Sequence, residues 1–358
     1  MEGPFSMLDG HEQVVFGNDP TSGLRCIVAL HSTALGPALG GTRFYPYATE
    51  EAALVDVLRL SRGMSYKAAC AGLDLGGGKA VIIGDPNTLK TEALLRAYGR
   101  VVESLGGRYV TACDVGTYTS DMAVVGRETR FATGADVSEG GSGDSGVMTA
   151  LGTYVGIKAC VGRVFGSDDL SGRHVAVAGV GKVGRRLAEH LAAEHCKLTV
   201  ADPDDAATGL CAERLGADVV GTDQIHAVDA DVFSPNALGA VINDQTLPQL
   251  RCRIVAGAAN NQLLEERHGD ALAAAGILYA PDYVINAGGV IQVGDELHAG
   301  GWSEPRIRAR VEKIGDRLLE IFDLADELRI STAEAADAYA ERRIAAVGRL
   351  RGFYLPAR

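Results

Sequence analysis

The sequence predicts an α/β protein of two domains, and three observations carry that prediction. Short Val/Ile-rich runs alternate with longer amphipathic stretches along most of the chain. A Ser/Gly-rich tract, Ser138-Glu139-Gly140-Gly141-Ser142-Gly143-Asp144-Ser145, interrupts that alternation as a flexible joint. Beyond it, Gly179-Val180-Gly181-Lys182-Val183-Gly184 stands between a strand-like run and a helical one. The 358 residues suit two domains at roughly 100 to 200 residues each. The expected boundaries are 1–140 for a mixed α/β domain and 141–320 for a Rossmann-type, doubly wound domain. Residues 321–358 form a C-terminal helical segment that packs back on the first domain or makes a contact between copies.

In the first third, Leu24 to His31 and Ala80 to Ile83 are short and rich in β-branched residues, as strands are. Between them, Ala52, Ala53, Leu54, Val57, Leu58 and Leu60 recur at helical spacing behind a Thr49 cap, which predicts a helix to about Gly63. Thr91 to Leu105 repeats that pattern, and Arg108 to Thr111 is strand-like. After the joint, the spacing predicts a helix from Val147 to Val164, a strand from His174 to Ala178, a helix from Lys182 to His195 and a strand from Lys197 to Ala201. Further strands at Asp231 to Phe233, Ile254 to Ala256 and Ile277 to Ala280 extend a parallel, doubly wound sheet. Arg306 to Leu350 reads as one long, mostly helical stretch.

Composition narrows the class of function. Hydrophobic residues make up 47% and aromatics 6%, with 46 glycines, which describes an Ala/Val/Leu/Gly-rich globular core. The net charge of -12 argues against a nucleic acid or an anionic membrane surface as partner. Seven cysteines, odd in number, widely spaced and without a CxxC pair, predict a reducing, cytoplasmic setting. Neither a secretory leader nor an apolar run of about 18 residues is visible. The eight histidines lack the paired spacing of a metal site, so no metal is expected; His190 and His195 read as a solvated helix face.

The glycine turn at 179–184 gains specificity from its context, because it follows a strand, opens a helix and is trailed by an acid at the end of the next strand. Gly179 permits the tight turn, Gly181 lets a pyrophosphate approach the backbone, and Gly184 lets the helix press on the sheet. Val180, Lys182 and Val183 complete the turn, and the helix N-terminus offers positive potential to the phosphates. Asp202 is placed to accept hydrogen bonds from ribose hydroxyls and to repel a 2'-phosphate, which favours NAD over NADP. Its alternative role is a helix cap before Pro203.

Two lysines and an aspartate form the second constellation. Lys79 follows Gly76-Gly77-Gly78, glycines that strip side chains from a backbone something must approach closely. Lys67 ends Gly63-Met64-Ser65-Tyr66-Lys67, and Asp114 lies in Thr111-Ala112-Cys113-Asp114-Val115-Gly116-Thr117. Two amines and a carboxylate can grip a carboxylate substrate and move protons at its neighbouring carbon. Burial and a second nearby ammonium make a lysine usable as a base near neutral pH. Ordinary alternatives are solvated lysines and an aspartate that caps its own turn, and Cys113 reads as a packing residue.

These segments together resemble the glutamate/leucine/phenylalanine/valine dehydrogenases, most closely the leucine and valine branch, over nearly the whole length. The resemblance rests on Leu35-Gly36-Pro37-Ala38-Leu39-Gly40-Gly41-Thr42-Arg43, Met64 to Lys67, Gly76 to Lys79 and Thr111 to Thr117. Ala256-Gly257-Ala258-Ala259-Asn260-Asn261, Tyr279-Ala280-Pro281-Asp282 and Asn286-Ala287-Gly288-Gly289 complete it. It implies NAD-dependent, reversible oxidative deamination of an amino acid to a 2-oxo acid and ammonia, by two domains that close a cleft about a hinge at Gly140, Gly141 and Gly143; the long C-terminal helical stretch separately suits a homo-oligomer. By that similarity Lys67 binds the substrate carboxylate near the Gly40-Gly41 backbone, Lys79 activates the attacking water and Asp114 exchanges protons with the amine. Asn260 lies between substrate and nicotinamide, Ser145 and Thr149 hold the carboxamide, and Pro235, Asn236 and Ala237 line the nicotinamide end.

The same resemblance builds the side-chain pocket from Leu39, Met64, Ala112, Val290 and Val293, all apolar, which disfavours glutamate and favours valine, leucine and isoleucine. An aromatic or specialised amino acid on the same scaffold is one alternative, and a non-catalytic NAD-binding sensor or assembly protein is another. Pro235-Asn236-Ala237-Leu238-Gly239-Ala240 departs from the family's usual Pro-Cys-Ala-Leu-Gly-Gly. Asn236 is either satisfied by backbone or alters cofactor or substrate preference, and Ala240 adds a methyl.

Overall fold

A computed structural model describes residues 4–351; the expected C-terminal segment's residues 352–358 lie outside the described residues. The chain divides into two compact units. The first takes in the chain up to Asp144, together with Gln292–Ser303 and the stretch from Ala340 on; the second comprises Ser145–Ile291 and Glu304–Tyr339. Position 321, the expected start of the C-terminal segment, falls inside a helix, so the division comes instead within 340 and around 292–303.

In the first unit, strands β1 (Gln13–Asp19), β2 (Leu24–Ser32), β3 (Ala38–Tyr45), β4 (Gly76–Ile83) and β5 (Tyr109–Cys113) form one sheet in the order β1-β2-β4-β3-β5. The pairs β1/β2 and β2/β4 are antiparallel, while β3 runs parallel to both β4 and β5. Helices are α1 (Glu50–Cys70), α2 (Pro86–Leu89), α3 (Glu92–Ser104) and α4 (Thr119–Val125). Ile27, Ala29, Val81 and Ile83 pack one face of the sheet against Ala53, Val57 and Leu58 of α1. Val28, Leu30, Ala80 and Ile82 pack the other against Leu94, Tyr98 and Val102 of α3 and Met122 of α4. Each fully buried aliphatic side chain contributes about 1.5–3 kcal/mol, so the sheet is anchored from both sides.

Thr49 caps α1 by accepting the Ala52 amide, as its place in the sequence predicts. The helix runs seven residues past the expected end at Gly63, to Cys70. A mid-helix glycine costs about 1 kcal/mol, and the burial of Ser65, Tyr66, Ala68, Ala69 and Cys70 beyond it outweighs that. Lys67 therefore stands in the last turn of α1 rather than in a loop. The glycine triplet is likewise inside β4, not a turn before it.

In the second unit, β6 (His174–Ala178), β7 (Lys197–Ala201), β8 (Asp218–Val219), β9 (Val232–Pro235), β10 (Ile254–Val255) and β11 (Leu278–Tyr279) form an all-parallel sheet ordered β11-β10-β9-β6-β7-β8. That is the doubly wound order, with its switch point between β6 and β9, where the connections leave to opposite sides and open a crevice. The remaining helices are α5 (Gly146–Phe165), α6 (Lys182–Ala193), α7 (Asp205–Leu215), α8 (Arg267–Ala274), α9 (Asp282–Ile285), α10 (Gly288–Asp295), α11 (Glu304–Val311), α12 (Lys313–Leu328) and α13 (Thr332–Arg351), of which α10 passes to the first unit after Ile291 and α13 after Tyr339. The expected single C-terminal helical stretch is thus three helices; α12 ends where Arg329 turns to φ +57°. His190 is not on a solvated face but stacks on Tyr154 at 5.2 Å, and His195 lies past the end of α6 at φ +61°. Among the described residues no helix is long and apolar enough to cross a membrane.

Within the first unit, the Ser138–Ser145 joint is fastened. The Glu296 carboxylate accepts the amides of Gly134 at 2.9 Å and Ser142 at 2.7 Å, and the Gln292 amide donates to the Ser142 carbonyl at 2.7 Å. A Cβ on Gly141 would lie 1.9 Å from the Ala135 carbonyl oxygen, so this part of the tract is packed, while Gly140 and Gly143 hold positive φ. The chain from Ala340 on is tied to the same unit by Tyr66 donating to Glu341 at 2.7 Å and Arg343 donating to Asp74 at 3.0 Å.

Candidate active site

Three neighbouring strands of the first sheet place the reactive constellation. Ala29 pairs with Lys79 across β2/β4, and Thr42 pairs with Ala80 on one side and Cys113 on the other. Side chains alternate faces along a strand, so Lys79 of β4 shares its face with Val81, and Arg43, paired with Val81, points the same way. Gly41 on β3 pairs with Ala112 of β5, and its missing side chain lets Cys113 and Asp114 close in. A Cβ there would meet the Asp114 Cβ at 2.9 Å.

Lys79 is 6% exposed, and its Nζ lies 2.7 Å from Oδ2 of Asp114. The Nε of Arg43 reaches the same oxygen at 3.3 Å, and its Nη1 reaches Oδ2 of Asp56 on α1 at 2.8 Å. The Tyr47 hydroxyl donates to that Asp56 oxygen at 2.6 Å. Burial alone would push the Asp114 carboxyl up, but the Lys79 ammonium and the Arg43 guanidinium hold it below the ordinary carboxylate range. Asp114 is also held by the backbone of its own turn at Val115, and Thr117 closes the turn. The Thr117 hydroxyl accepts the Asp114 amide at 2.9 Å and donates to the Thr42 carbonyl at 2.8 Å.

What comes close to the glycine triplet is the protein itself. A Cβ on Gly76 would lie 2.1 Å from the Ser32 carbonyl oxygen, one on Gly77 2.0 Å from the Ser65 amide nitrogen, and one on Gly78 2.7 Å from the Tyr109 ring. Glycine at these positions lets α1, β2 and β5 close on β4 and fixes the strand that carries Lys79. Lys67 and Met64 are partly buried on α1, two and one residues from Ser65; Leu39 and Ala112 are buried in β3 and β5. Gly40 accepts a 2.7 Å bond from the Tyr109 hydroxyl at its carbonyl. Val290 and Val293 lie on α10, Val290 with the second unit and Val293 with the first. Next to Val293, a Cβ on Gly294 would reach Leu75 at 3.0 Å and Leu39 at 3.9 Å. Cys113 is half-buried, and burial pushes its thiol up, which suits packing rather than nucleophilic attack.

In the second unit the two loops at the switch point touch. The Asn236 amide donates to the Ala178 carbonyl at 2.7 Å, and Gly179, at φ +95°, would bring a Cβ within 2.6 Å of Ala237. Gly184 would place a Cβ 1.9 Å from the Gly179 carbonyl oxygen, so a side chain there would lift α6 off the loop. Gly181, by contrast, faces open space and caps α6 without a side-chain bond, so the first-turn N–H groups of Lys182 and Val183 have no partner within the helix. Asp202, at the end of β7, accepts the Val180 amide on Oδ2 at 2.8 Å and the Asp204 amide on Oδ1 at 3.0 Å. The helix cap is Asp204, not Asp202. A carboxylate has about four acceptor positions, so Asp202 can clamp the loop and still receive hydroxyls. Open backbone at Gly181, an uncapped helix start and a strand-end acid fit a dinucleotide.

Asn236 is satisfied by its surroundings: its NH2 donates to the Ser234 carbonyl at 2.8 Å and its Oδ1 accepts the Ala258 amide at 2.9 Å. It ties β9, ending at Pro235, to the loop after β10. Ala240 holds φ +58°, which explains why a glycine suits that position. Asn260 is exposed, and its Oδ1 accepts from the NH2 of buried Asn286 at 2.8 Å. Asn286 also donates to the Ala258 carbonyl at 3.1 Å. Ser145 and Thr149, at the start of α5, flank Gly289, whose Cβ would sit 2.9 Å from the Thr149 hydroxyl.

Sequence reasoning passed over Arg43, Asp56, Tyr47 and Asn286 as site residues. Arg43 carried a signal, since it follows Gly41 by two and so shares its face of β3. Asp56 carried none, because its partner lies thirteen residues away across a helix-sheet contact.

Residues 11–131 match the model of the Glu/Leu/Phe/Val dehydrogenase dimerisation domain, and residues 204–352 match that of Glutamate/Leucine/Phenylalanine/Valine dehydrogenase. A valine dehydrogenase of Streptomyces coelicolor is 55% identical over 339 residues, covering 94% of this chain and 93% of the relative. A leucine dehydrogenase of Bacillus cereus is 50% identical over 345 residues, covering 96% and 94%. Among solved structures, an L-tryptophan dehydrogenase from Nostoc punctiforme superposes with a TM-score of 0.86 at 45% identity, covering 96% of this chain and 98% of that one.

Proposed function

The chain belongs to the Glu/Leu/Phe/Val dehydrogenase family, and from that premise we propose that it is an NAD-dependent L-amino acid dehydrogenase. It catalyses reversible oxidative deamination of valine, leucine or isoleucine to the 2-oxo acid and ammonia. The observation that carries this reading is the buried Lys79 ammonium 2.7 Å from Asp114, beside the side-chain-free Gly41. Relatives named for valine and leucine, at 50–55% identity, support the branched-chain assignment.

In this mechanism Lys67 pairs with the substrate carboxylate beside the Gly40-Gly41 backbone, and Asp114 takes a proton from the substrate ammonium. When bound, the nicotinamide supplies the acceptor for the hydride that leaves Cα, chemistry for which the chain has no group of its own. Lys79 then takes one proton of the water that attacks the imino carbon, Asp114 returns its proton to the amine, and as the C–N bond breaks the remaining hydroxyl proton leaves with the ammonia as ammonium. Asn260, Ser145 and Thr149 orient the nicotinamide end. Val180, Gly181, Lys182, Val183 and Gly184 receive the pyrophosphate, and Asp202 binds the ribose and disfavours a 2'-phosphate. Pro235, Asn236 and Ala237 form the opposite wall at the switch point. Leu39, Met64, Ala112, Val290 and Val293 receive the aliphatic side chain, and offer no cation to a substrate's second carboxylate. The enzyme works in the cytoplasm as a homo-oligomer, in keeping with the dimerisation domain that residues 11–131 match.

The test is a panel of L-valine, L-leucine, L-isoleucine, L-phenylalanine, L-tryptophan and L-glutamate with NAD or NADP, followed by absorbance of the reduced nicotinamide. Branched-chain substrates with NAD are expected to give the highest kcat/KM. The 45% identical tryptophan dehydrogenase favours an aromatic substrate as the second reading, and a preference for phenylalanine or tryptophan would establish it. A methylene separates aliphatic substrates by only about 1–3 kcal/mol, so the three are expected to react together.

A further inference from the structure

The reaction above needs Asp114 to be ionised when the substrate ammonium arrives, in a site where burial opposes its charge, and it needs this whether Lys79 holds a proton or has given one up. A counter-charge that itself gains and loses protons cannot guarantee that. Arg43 can, because a guanidinium stays protonated throughout the working range of pH. Its Nε shares Oδ2 of Asp114 with Lys79, at 3.3 and 2.7 Å. Its other end is fixed by Oδ2 of Asp56 at 2.8 Å, itself held by the Tyr47 hydroxyl at 2.6 Å. Both cations therefore reach the same carboxylate oxygen, Oδ2.

We propose that Arg43, anchored by Asp56 and Tyr47, is a positioning residue of the deamination: it turns Asp114 so that Oδ1 meets the substrate amine, and its permanent charge favours the proton-depleted form of the Lys79-Asp114 pair, setting the acid limb of the pH-rate profile. This inference rests on the reading of that pair as the acid-base centre. The titratable and charged groups facing Asp114 include Lys79 from β4, Arg43 from β3, and Tyr109 and Cys113 from β5. Asp56 of α1 and Tyr47 stand behind Arg43. Tyr109 and Cys113 are neutral over the working range, both pushed up by burial. Arg43 is thus the fixed positive charge in the set. The guanidinium's own proton is held more firmly than usual: burial opposes its charge, but Asp114 and Asp56 more than offset that.

The experiment measures kcat/KM for L-valine deamination against pH in Arg43→Met, Arg43→Gln and Arg43→Lys, each checked for folding by NADH affinity and thermal melting. Both neutral variants are expected to move the acid limb upward by about one pH unit, a roughly tenfold loss of rate below the limb that shrinks above it. Arg43→Lys keeps a charge, and its limb is expected to stay near the parent's. Two neutral variants are used because one alone can fail to fold. A limb that stays in place in a folded neutral variant, or a loss equal at every pH, overturns the proposal. Asp114→Asn separates the two levels: if it turned over with the parent profile, the acid-base reading of the pair would have failed, whatever Arg43 does.

Discussion

At Asp114 two cations share one carboxylate oxygen, and the division of labour between them follows from their chemistry. Lys79 is a compact amine that can release a proton, whereas Arg43 is a fixed charge with a planar fork, so only the first suits a base. The third cation, Lys67, is assigned the substrate carboxylate. Replacing it by Ala is expected to raise KM for the amino acid with a loss of roughly 1.5–3 kcal/mol in binding, the worth of a charged hydrogen bond; an unchanged KM would remove that assignment. Away from the chemistry, Ala240 at φ +58° holds a conformation that an L side chain resists by roughly 1 kcal/mol. Ala240→Gly is therefore expected to raise stability by about 0.5–1 kcal/mol, measured as a higher denaturant midpoint, and a lower midpoint would show that the methyl packs usefully.

Elements explain what single residues could not announce. The sequence made the strands β6 and β7 legible to the residue, because apolar runs buried on both faces are bounded by polar turns. The triplet before Lys79 was legible as a place of close approach, but not what approaches: Ser65, Ser32 and Tyr109 lie up to 44 positions from it in sequence. For the same reason α1 extends past Gly63, since tertiary packing rather than local propensity decides where it stops. The Ser138–Ser145 tract reads as loose from composition, yet Glu296, about 150 residues on, accepts three donors from it and its neighbourhood. Glu296→Ala leaves those donors without their acceptor and is expected to cost about 1–3 kcal/mol. Faster amide hydrogen exchange at Gly134 and Ser142 would register it, and unchanged exchange would show that Gln292 alone suffices.

For the whole molecule, acid sensitivity follows from how the first unit buries its histidines. His31 donates or accepts at Ser65 Oγ, 2.9 Å from Nδ1, and meets His11 edge-on at 4.9 Å. Burial, aided by His11 and Arg62, pushes His31 down to about 4, and burial lowers His11 as well. Unfolded, each titrates near 6.5, so between about 4 and 6.5 the unfolded chain binds more protons and folding weakens as pH falls. Stability is fully present above 6.5. The Asp114 contribution, from a carboxyl held low, is lost only as pH falls below the ordinary 3.8 toward its folded value. Denaturant midpoints are expected to drop between pH 7 and pH 5, less so in His31→Gln; equal slopes would place the sensitivity elsewhere. At this scale the two-unit, doubly wound plan was visible in the order of strand, glycine turn, helix and acid. The return of the C-terminal stretch to the first unit was one of two readings of the helical segment, whereas the contribution of 292–303 was not visible, because it returns from distant sequence.

The central claim is that the amine of Lys79, seated against Asp114, moves the proton that makes deamination possible. Lys79→Ala, mixed with 2-oxoisovalerate, ammonia and NADH, tests it through the decay of NADH absorbance alongside NADH affinity measured by fluorescence. Loss of the base is expected to slow turnover by about 10²–10⁴-fold while NADH affinity stays within twofold or so, because the nucleotide loops belong to the second unit. Turnover close to the parent's, at unchanged NADH affinity, would contradict the account.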